Sequence, residues 1–552
     1  MFNSKKAFSY LVLLSLVLLL TNIHSFPLTD RDEGEYAACA LEMLTNKNFI
    51  VPTLNGRPYL EKPILFHWIL ASSFIVFGAN EFAARLPSVL SAFFLVIILS
   101  SFLHFYSKDK KISILSGLIL ITNPLFLIHA RACITDIVLT FFITTSLICL
   151  FCFLEKSYNK KLFLWILSST FISLAFLTKG PISIAIFWPI LIIYTWIISD
   201  FTPFRAKYLI VFLSIFFIIN LPWHVLIYKR LGIAFFETFY VTQNLERFTK
   251  TLLGHGGGPF LYFFVIIIGF FPYAQFGTKA LIENIKNRRP NFYLFCTISF
   301  LWIFSLLSLS ATKQLNYILP SLPFLSVLAA QRLHILSKIE ENKMEKFIFL
   351  LATTLFFLVL LVPIFIQDNL WNWILNMVRF DSTAYALPPK MPDITSWCII
   401  FLCLILFLVI TYFYNEDKLL FISGTLVFSF IFSTLFLPTL ANKIQGPAKH
   451  IARKIYHLKN KINNEELEIQ AISYGLWKPS MIFYAQMPIR KYKVKHIEKI
   501  NAKLEEKKAI FVFTRTRLLK KLISESKKFF PIEIQQGYMI GGNKKAKDIY
   551  MN

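Results

Sequence analysis

The sequence is poor in charge and in cysteine for its length of 552 residues. Charged residues make up 16% of the chain, against about 25% in an average soluble domain. Seven cysteines are too few for the disulfide framework of a small secreted scaffold. Acidic residues are the scarcer sign, 31 against 57 Lys and Arg, so the formal net charge is +26. These deficits argue against an ordinary soluble protein.

Apolar residues are abundant instead: 56% of the chain is hydrophobic and 60 residues are Phe. Such a composition excludes disorder, and runs of about 17–25 apolar residues can cross a bilayer. We predict about thirteen spans, the first an uncleaved helix because no A-x-A-like cleavage site follows it. The apolar stretch 64–78 is short and predicts a membrane-surface helix. The predicted spans are 7–25, 83–106, 112–129, 136–154, 162–178, 181–199, 208–224, 260–278, 291–309, 315–331, 347–366, 396–413 and 419–438.

Lys and Arg are concentrated in alternate loops, which orients the chain by the positive-inside rule. With the N-terminus in the cytoplasm, an odd number of spans places the tail, residues 440–552, on the outer side. The tail holds 24 Lys and Arg against 9 Asp and Glu. Its short apolar runs at 469–474 and 509–514 predict strands, with helices at 448–461 and 518–527. We therefore predict a transmembrane domain, residues 1–439, followed by a small basic α/β domain.

The first outer loop is unusually acidic, reading Thr29-Asp-Arg-Asp-Glu-Gly-Glu-Tyr36. A solvated loop is the simplest interpretation. However, apolar residues at helical spacing after Tyr36 predict an amphipathic helix ending near Asn46. Asp32 would then lie at the helix N-terminus, where the helix dipole stabilises an anion. A carboxylate held there is a candidate proton acceptor.

Further motifs complete a recognisable pattern. Asp32-Glu33-x-x-Tyr36, Asn55-Gly-x-x-Tyr59-x-Glu61-Lys62-Pro63 and Arg85-Leu-Pro-Ser88 together resemble the first-loop signature of the protein O-mannosyltransferase superfamily. Within it, the resemblance is to the bacterial lipid A aminoarabinose transferases. It implies a polytopic α-helical membrane protein of the GT-C fold, with a C-terminal periplasmic domain. It also implies a glycosyltransferase that uses a polyprenyl-phosphate sugar.

The resemblance assigns roles to individual residues. Asp32 matches the acidic residue of the first loop that the family treats as catalytic, and Asp136 matches a second acidic position. Lys62 matches a lysine that contacts the carrier phosphate, and Arg247, Lys313 and Tyr317 match groups near the same phosphate. The remaining predicted substrate-binding residues come from the first-loop motif: Glu33, Tyr36, Arg57 and Tyr59.

A divalent metal is a further possibility within this family, held by a glutamate and a histidine. Glu61 matches the glutamate, but Asn244 or a neighbour stands at the histidine position. Asn is a poor zinc ligand compared with imidazole. A metal at Glu61 would therefore need His67, His224 or His255 to replace the missing ligand, and no cofactor is firmly predicted.

The resulting hypothesis is an inverting transferase in a bacterial inner membrane. It would move aminoarabinose or a related aminosugar from undecaprenyl phosphate to lipid A or another anionic acceptor, at a periplasmic active site. Alternatives are a protein or polysaccharide acceptor, and a transporter of lipid-linked sugars, which would place charges in mid-span. A basic domain beside the membrane attracts phosphorylated headgroups; nucleic acid is not an expected partner there.

Overall fold

The computed structural model describes residues 4–107, 109–156, 158–251, 256–336, 429–430, 433–434, 437–461, 468–535 and 537–551. The predicted spans 347–366 and 396–413, and most of 419–438, lie outside these residues. The helices before residue 337 are α1 (Ser4–Leu20), α2 (Asp32–Thr45), α3 (Leu65–Phe77), α4 (Glu81–Ser107), α5 (Lys110–Thr122), α6 (Pro124–Ala130), α7 (Thr135–Leu154), α8 (Lys161–Lys179), α9 (Ile182–Ile198), α10 (Ala206–Leu231), α11 (Ala234–Phe236), α12 (Arg247–Thr249), α13 (Leu261–Gly269), α14 (Ala274–Asn287), α15 (Phe292–Leu309) and α16 (Leu322–Leu336).

The helical part has the character of a membrane protein. Among the described residues, six helices are long and apolar enough to cross a bilayer, or eight if each of two bent pairs is one span. The expected spans near both α1 and α9 are helices of 17 residues, about 25 Å long at 1.5 Å per residue. The helix expected over 64–78 is α3, as predicted.

Helix boundaries follow local chemistry. The α5–α6 pair bends by 67° at Asn123, whose side chain accepts from the backbone N–H of Phe126 and precedes Pro124 at the first helical position. Such a cap followed by proline starts a new helix. The second bent pair, α13 and α14, turns by 119°. Two 3₁₀ helices, Thr202–Phe204 and Leu315–Ser321, and a π-helix, Glu237–Glu246, complete this part.

The segment predicted to be the first outer loop forms α2 and a small hairpin. The predicted amphipathic helix is confirmed as Asp32–Thr45, with Asn46 at its C-terminal cap. Strands β1 (Thr53–Leu54) and β2 (Arg57–Pro58) pair antiparallel around Asn55-Gly56, both at positive φ, as a tight hairpin turn requires. The Glu42 carboxylate of α2 accepts hydrogen bonds from the backbone N–H groups of Asn55 and Gly56, which fixes the hairpin against the helix.

The tail contains a five-stranded mixed sheet with helices. The strands are β3 (Ile469–Tyr474), β4 (Ile489–Tyr492), β5 (Ala509–Arg515), β6 (Phe530–Gln535) and β7 (Tyr538–Gly542), and the helices are α17 (Leu437–Lys461), α18 (Pro479–Ala485), α19 (Ile497–Leu504), α20 (Leu519–Glu525) and α21 (Lys544–Met551). Strand order is β4-β3-β5-β7-β6, with β3 parallel to both β4 and β5. The two strands predicted from apolar runs are β3 and β5.

The sheet domain is attached directly to the first outer loop. Asn55 exchanges two hydrogen bonds with the backbone of Ile489 on the edge strand β4, at 2.7 and 2.8 Å. The Tyr484 hydroxyl of α18 accepts from the backbone N–H of Leu28 at 2.7 Å. These contacts place the sheet and the first loop at the same end of the helices. Helix α17 begins at Leu437 and runs across residue 440. The domain boundary predicted at residue 440 stays a prediction.

Candidate active site

Asp32 is the first residue of α2 and lies partly buried at its N-terminus. Its carboxylate has no hydrogen-bond or ion-pair partner among the described residues. Burial raises the pKa of Asp32, while the positive charges of Lys62, Lys179 and Arg247 act in the opposite direction. The structure therefore surrounds a free carboxylate with cations from three separate segments.

Lys62 follows the hairpin and is almost fully buried. Its ammonium group donates to the backbone carbonyl of Glu61 at 3.2 Å. Burial, and next the positive charge of Arg247, lowers the pKa of Lys62 to about 8. The Lys62 ammonium has no carboxylate within 4 Å among the described residues. A buried charge without a partner destabilises the protein, so a bound anion would stabilise this site.

Arg247 and Lys313 lie on two segments that are joined by backbone hydrogen bonds. Ala311 donates to the carbonyl of Phe248 at 2.8 Å, and Thr312 to that of Arg247 at 3.1 Å. The Arg247 guanidinium donates to the Tyr317 hydroxyl at 3.1 Å, while the Lys313 ammonium donates to the Ser310 carbonyl. The buried Arg247 Nε has no partner among the described residues and is left available to a ligand.

Asp136, the second predicted catalytic acid, is occupied by protein partners. Its carboxylate accepts from the Lys179 ammonium at 2.5 Å and from the Asn316 amide at 3.0 Å. Lys179 also lies 4.2 Å from the centre of the Tyr317 ring. The sequence motifs did not predict Lys179 or Asn316 as residues of the site. Asp136 therefore holds Lys179, one of the cations near Asp32, in an ion pair.

Glu33 differs from its predicted role in substrate binding. It is 2% exposed, and both carboxylate oxygens accept from Arg85, at 2.8 and 3.0 Å. Thr29 and the backbone N–H of Cys133 donate to the same carboxylate. The Arg85 guanidinium also donates to the carbonyls of Ile23, Phe26 and Pro27. With all its acceptors used internally, Glu33 supports the loop rather than contacting a ligand.

Tyr36 and Tyr59, two of the predicted substrate-binding residues, are buried and pack against each other. Their ring centres are 6.5 Å apart in an edge-to-face arrangement, and the Tyr59 hydroxyl donates to Glu35 at 3.4 Å. Burial, followed by the charges of Glu61 and Asp32, raises the pKa of Glu35 to about 7. The carboxyl groups of Asp32 and Glu61 are therefore within electrostatic reach of Glu35, and Lys62 acts on Glu35 as well.

Arg57 is exposed on β2, and the structure does not bring it among the buried cations. A metal centre at Glu61 is not assembled from the described residues, which contain no group of three or more His, Cys, Asp or Glu side chains able to hold an ion. Both ring nitrogens of His224 are engaged, by Asn220 and Tyr240. His255 lies outside the described residues, so the metal stays a prediction.

Parts of this sequence are similar to those of known proteins. A family model described as dolichyl-phosphate-mannose-protein mannosyltransferase matches residues 9–240. An uncharacterised protein of Aquifex aeolicus is 32% identical over 328 residues, covering 59% of this chain and 72% of that protein. The chain belongs to this family. It is a membrane glycosyltransferase that uses a polyprenyl-phosphate-linked sugar donor.

Two members of the family carry a more specific name, undecaprenyl phosphate-α-4-amino-4-deoxy-L-arabinose arabinosyl transferase. The Proteus mirabilis protein, transferase 2, is 28% identical over 341 residues, which cover 60% of each chain. The Wigglesworthia glossinidia brevipalpis protein is 31% identical over 325 residues, 57% of this chain and 56% of its own length. The matches thus span somewhat more than half of these named transferases.

The fold matches more completely than the sequence does. The crystal structure of ArnT from Cupriavidus metallidurans bound to undecaprenyl phosphate superposes with a TM-score of 0.80 over 97% of each chain, at 18% identity. Its apo state gives 0.78 over 98% of each chain. The predicted GT-C architecture with a small C-terminal α/β domain is therefore confirmed.

Proposed function

We propose that this protein transfers aminoarabinose, or a related aminosugar, from undecaprenyl phosphate to lipid A at the periplasmic face of a bacterial inner membrane. The observation that carries the proposal is the Asp32 carboxylate, which has no partner among the described residues and is within electrostatic reach of the buried Lys62 and the half-buried Lys179 and Arg247. The donor is proposed from the names of the relatives in Proteus and Wigglesworthia, which are undecaprenyl phosphate-aminoarabinose transferases.

The cations fit the leaving group. As the bond between the sugar C1 and the phosphate oxygen breaks, negative charge accumulates on undecaprenyl phosphate. Lys62 and Arg247 would bind and stabilise that charge, with Lys313 and Tyr317 beside them. The free N–H of Arg247 offers the phosphate an additional donor.

Asp32 would act on the other reactant. An acceptor hydroxyl attacks C1 from the face opposite the phosphate, and its proton passes to the Asp32 carboxylate, so the configuration at C1 inverts. If the acceptor oxygen belongs to a phosphate group, little deprotonation is needed and Asp32 mainly orients it. Burial that raises the pKa of Asp32 makes it a better base than a solvated aspartate.

The charge and the position of the sheet domain favour a phosphorylated acceptor. The basic sheet domain adjoins the first outer loop, and lipid A carries phosphate groups that such a domain attracts. The outward orientation follows from the distribution of Lys and Arg between the loops. Both arguments favour a phosphorylated lipid beside Asp32.

Expression in a strain that lacks its own transferase tests the proposal. We expect mass spectrometry to find lipid A heavier by one aminosugar, and heavier only when the donor pathway is intact. The match to a protein mannosyltransferase model favours one second candidate, a protein acceptor. Unmodified lipid A together with newly glycosylated membrane proteins would establish that alternative and overturn the lipid acceptor.

A further inference from the structure

A buried clamp joins the catalytic loop to the sheet domain two residues before Asp32. One oxygen of the Asp30 carboxylate accepts from the backbone N–H of Ser480 at 2.9 Å. The other accepts from the Ser480 hydroxyl at 2.9 Å and from the Lys478 ammonium at 3.1 Å. The Asp30 and Lys478 side chains are 8% and 2% exposed.

Lys478 is itself held by other parts of the sheet domain. Its ammonium donates to the Gln445 side chain of α17 at 2.8 Å and lies 5.1 Å from the centre of the Tyr538 ring on β7. Although burial opposes it, the Asp30 carboxylate holds the pKa of Lys478 above its ordinary value. Lys478 is therefore a charged side chain that its neighbours hold in position and that forms an ion pair with Asp30.

Gly34 shows how closely the two parts approach. A Cβ atom added to this glycine would lie 2.4 Å from the backbone nitrogen of Ser480 and 2.9 Å from its Cα. Gly34 and Asp32 share the first turn of α2, so the backbone of α18 limits where that turn can lie. Only glycine leaves room for this contact.

We propose that Lys478 and Ser480, in the C-terminal domain, are positioning residues for the transfer reaction: they hold Asp30, and through it the first turn of α2, so that Asp32 faces the sugar. This inference rests on the proposed function. Carrier phosphate binding should depend on the clamp less than turnover does, because two of the phosphate-binding cations, Arg247 and Lys313, come from other segments that are joined to each other.

The test measures kcat and donor KM separately in purified full-length protein, with undecaprenyl-phosphate aminoarabinose as donor and lipid A as acceptor. For Lys478→Met we expect kcat to fall about 10²-fold, the loss associated with a misplacement of about 1 Å. Donor KM should stay within about twofold of wild type. Lys478→Arg retains a cation for Asp30 and should recover roughly tenfold of the lost kcat.

Two further variants keep the test decisive. Gly34→Ala removes no polar group of the clamp, but its Cβ would lie 2.4 Å from the Ser480 backbone nitrogen and 3.1 Å from Asp30 Oδ1, so α2 must move away from Ser480. It should reproduce the loss of kcat even if Lys478→Met fails to fold. Lys449→Met is the matched control, because it removes another ion pair between the two parts of the protein, with Glu81 at 2.5 Å. Its kcat should stay near that of wild type.

Each outcome decides the matter. A folded Lys478→Met variant with unchanged kcat would overturn the positioning role, and so would an equal loss in Lys449→Met, which would indicate general docking of the domain. Asp32→Asn is measured in parallel. If Asp32→Asn stays active, the assignment of Asp32 in the proposed function fails, whatever the Lys478 variants do.

Discussion

Asp32 and Glu33 are consecutive residues in the first turn of α2, yet their carboxylates lie in opposite surroundings. Glu33 points into the protein, where Arg85, Thr29 and the backbone of Cys133 use both of its oxygens. Asp32 has cations within electrostatic reach and no partner among the described residues. Of these two neighbouring carboxylates, that of Glu33 is engaged in stabilising the protein, and that of Asp32 has no described partner and can react.

The difference is energetic as well as geometric. A buried carboxylate is stable when paired and fully hydrogen-bonded, and removal of its partner leaves an uncompensated charge. Burial raises the pKa of Asp32, whereas Arg85 holds the pKa of Glu33 below its usual value despite burial. One group is thus kept ionised as a support, and the other is made more basic.

The largest expected effect is on the Asp32 side. Asp32→Asn keeps the shape of the side chain but removes the proton acceptor, so we expect transfer to fall about 10³-fold, within the range for general base catalysis. The thermal unfolding temperature in detergent should change little, because no described partner is lost. Near-normal transfer by this variant would show that the free carboxylate is not the base.

The Glu33 side should respond in the opposite way. Arg85→Met leaves the buried Glu33 carboxylate without its cation and should lower the free energy of unfolding by about 3–5 kcal/mol. The loss should be measurable as a lower unfolding temperature and a lower yield of folded protein. The double variant Glu33→Leu with Arg85→Met removes both charges and should recover part of the loss. A stable but inactive Arg85→Met protein would contradict the structural assignment.

A smaller effect is expected from titration of Lys62. Its pKa of about 8 means that the phosphate-binding cation is present below pH 8 and is lost as pH rises through that value. We therefore expect kcat/KM for the donor to fall above pH 8 and to level off about tenfold lower once Lys62 is neutral. Lys62→Arg stays charged and should flatten this decline; an unchanged profile would exclude Lys62 as its source.

The smallest effect is expected at Arg57. The family resemblance implies that it contacts substrate, but the hairpin holds it exposed to solvent. We expect Arg57→Met to change donor KM by no more than about twofold, with Lys47→Met, another exposed cation of this loop, as a comparison. A large rise in KM for Arg57→Met alone would return this residue to the site.

Sequence patterns account for much of the fold. Hydropathy predicts the long helices, and the apolar runs predict β3 and β5. Strand order and the 67° and 119° bends could not be read in advance, because they depend on packing between elements. The helix bearing Asp32 was predictable because its apolar face repeats at helical spacing.

Prediction of the site was limited by contacts between distant segments. Motifs place Asp32, Lys62 and Arg247 near one another, but not the pairing of Asp136 with Lys179, 43 residues away, or with Asn316, 180 residues away. Glu33 was assigned to substrate because its acidic neighbours share a motif. Only the arrangement of α2 and α4 shows that Arg85, 52 residues away, takes both oxygens.

We propose that Asp32 acts on the acceptor, while Lys62 and its neighbouring cations bind the carrier phosphate. The most direct test measures undecaprenyl phosphate affinity and single-turnover transfer rate in Asp32→Asn and Lys62→Met. We predict that Asp32→Asn binds the carrier as wild type does but transfers sugar about 10³-fold more slowly. Lys62→Met should bind roughly tenfold more weakly yet transfer at saturating donor. Loss of both properties in both variants would contradict the account.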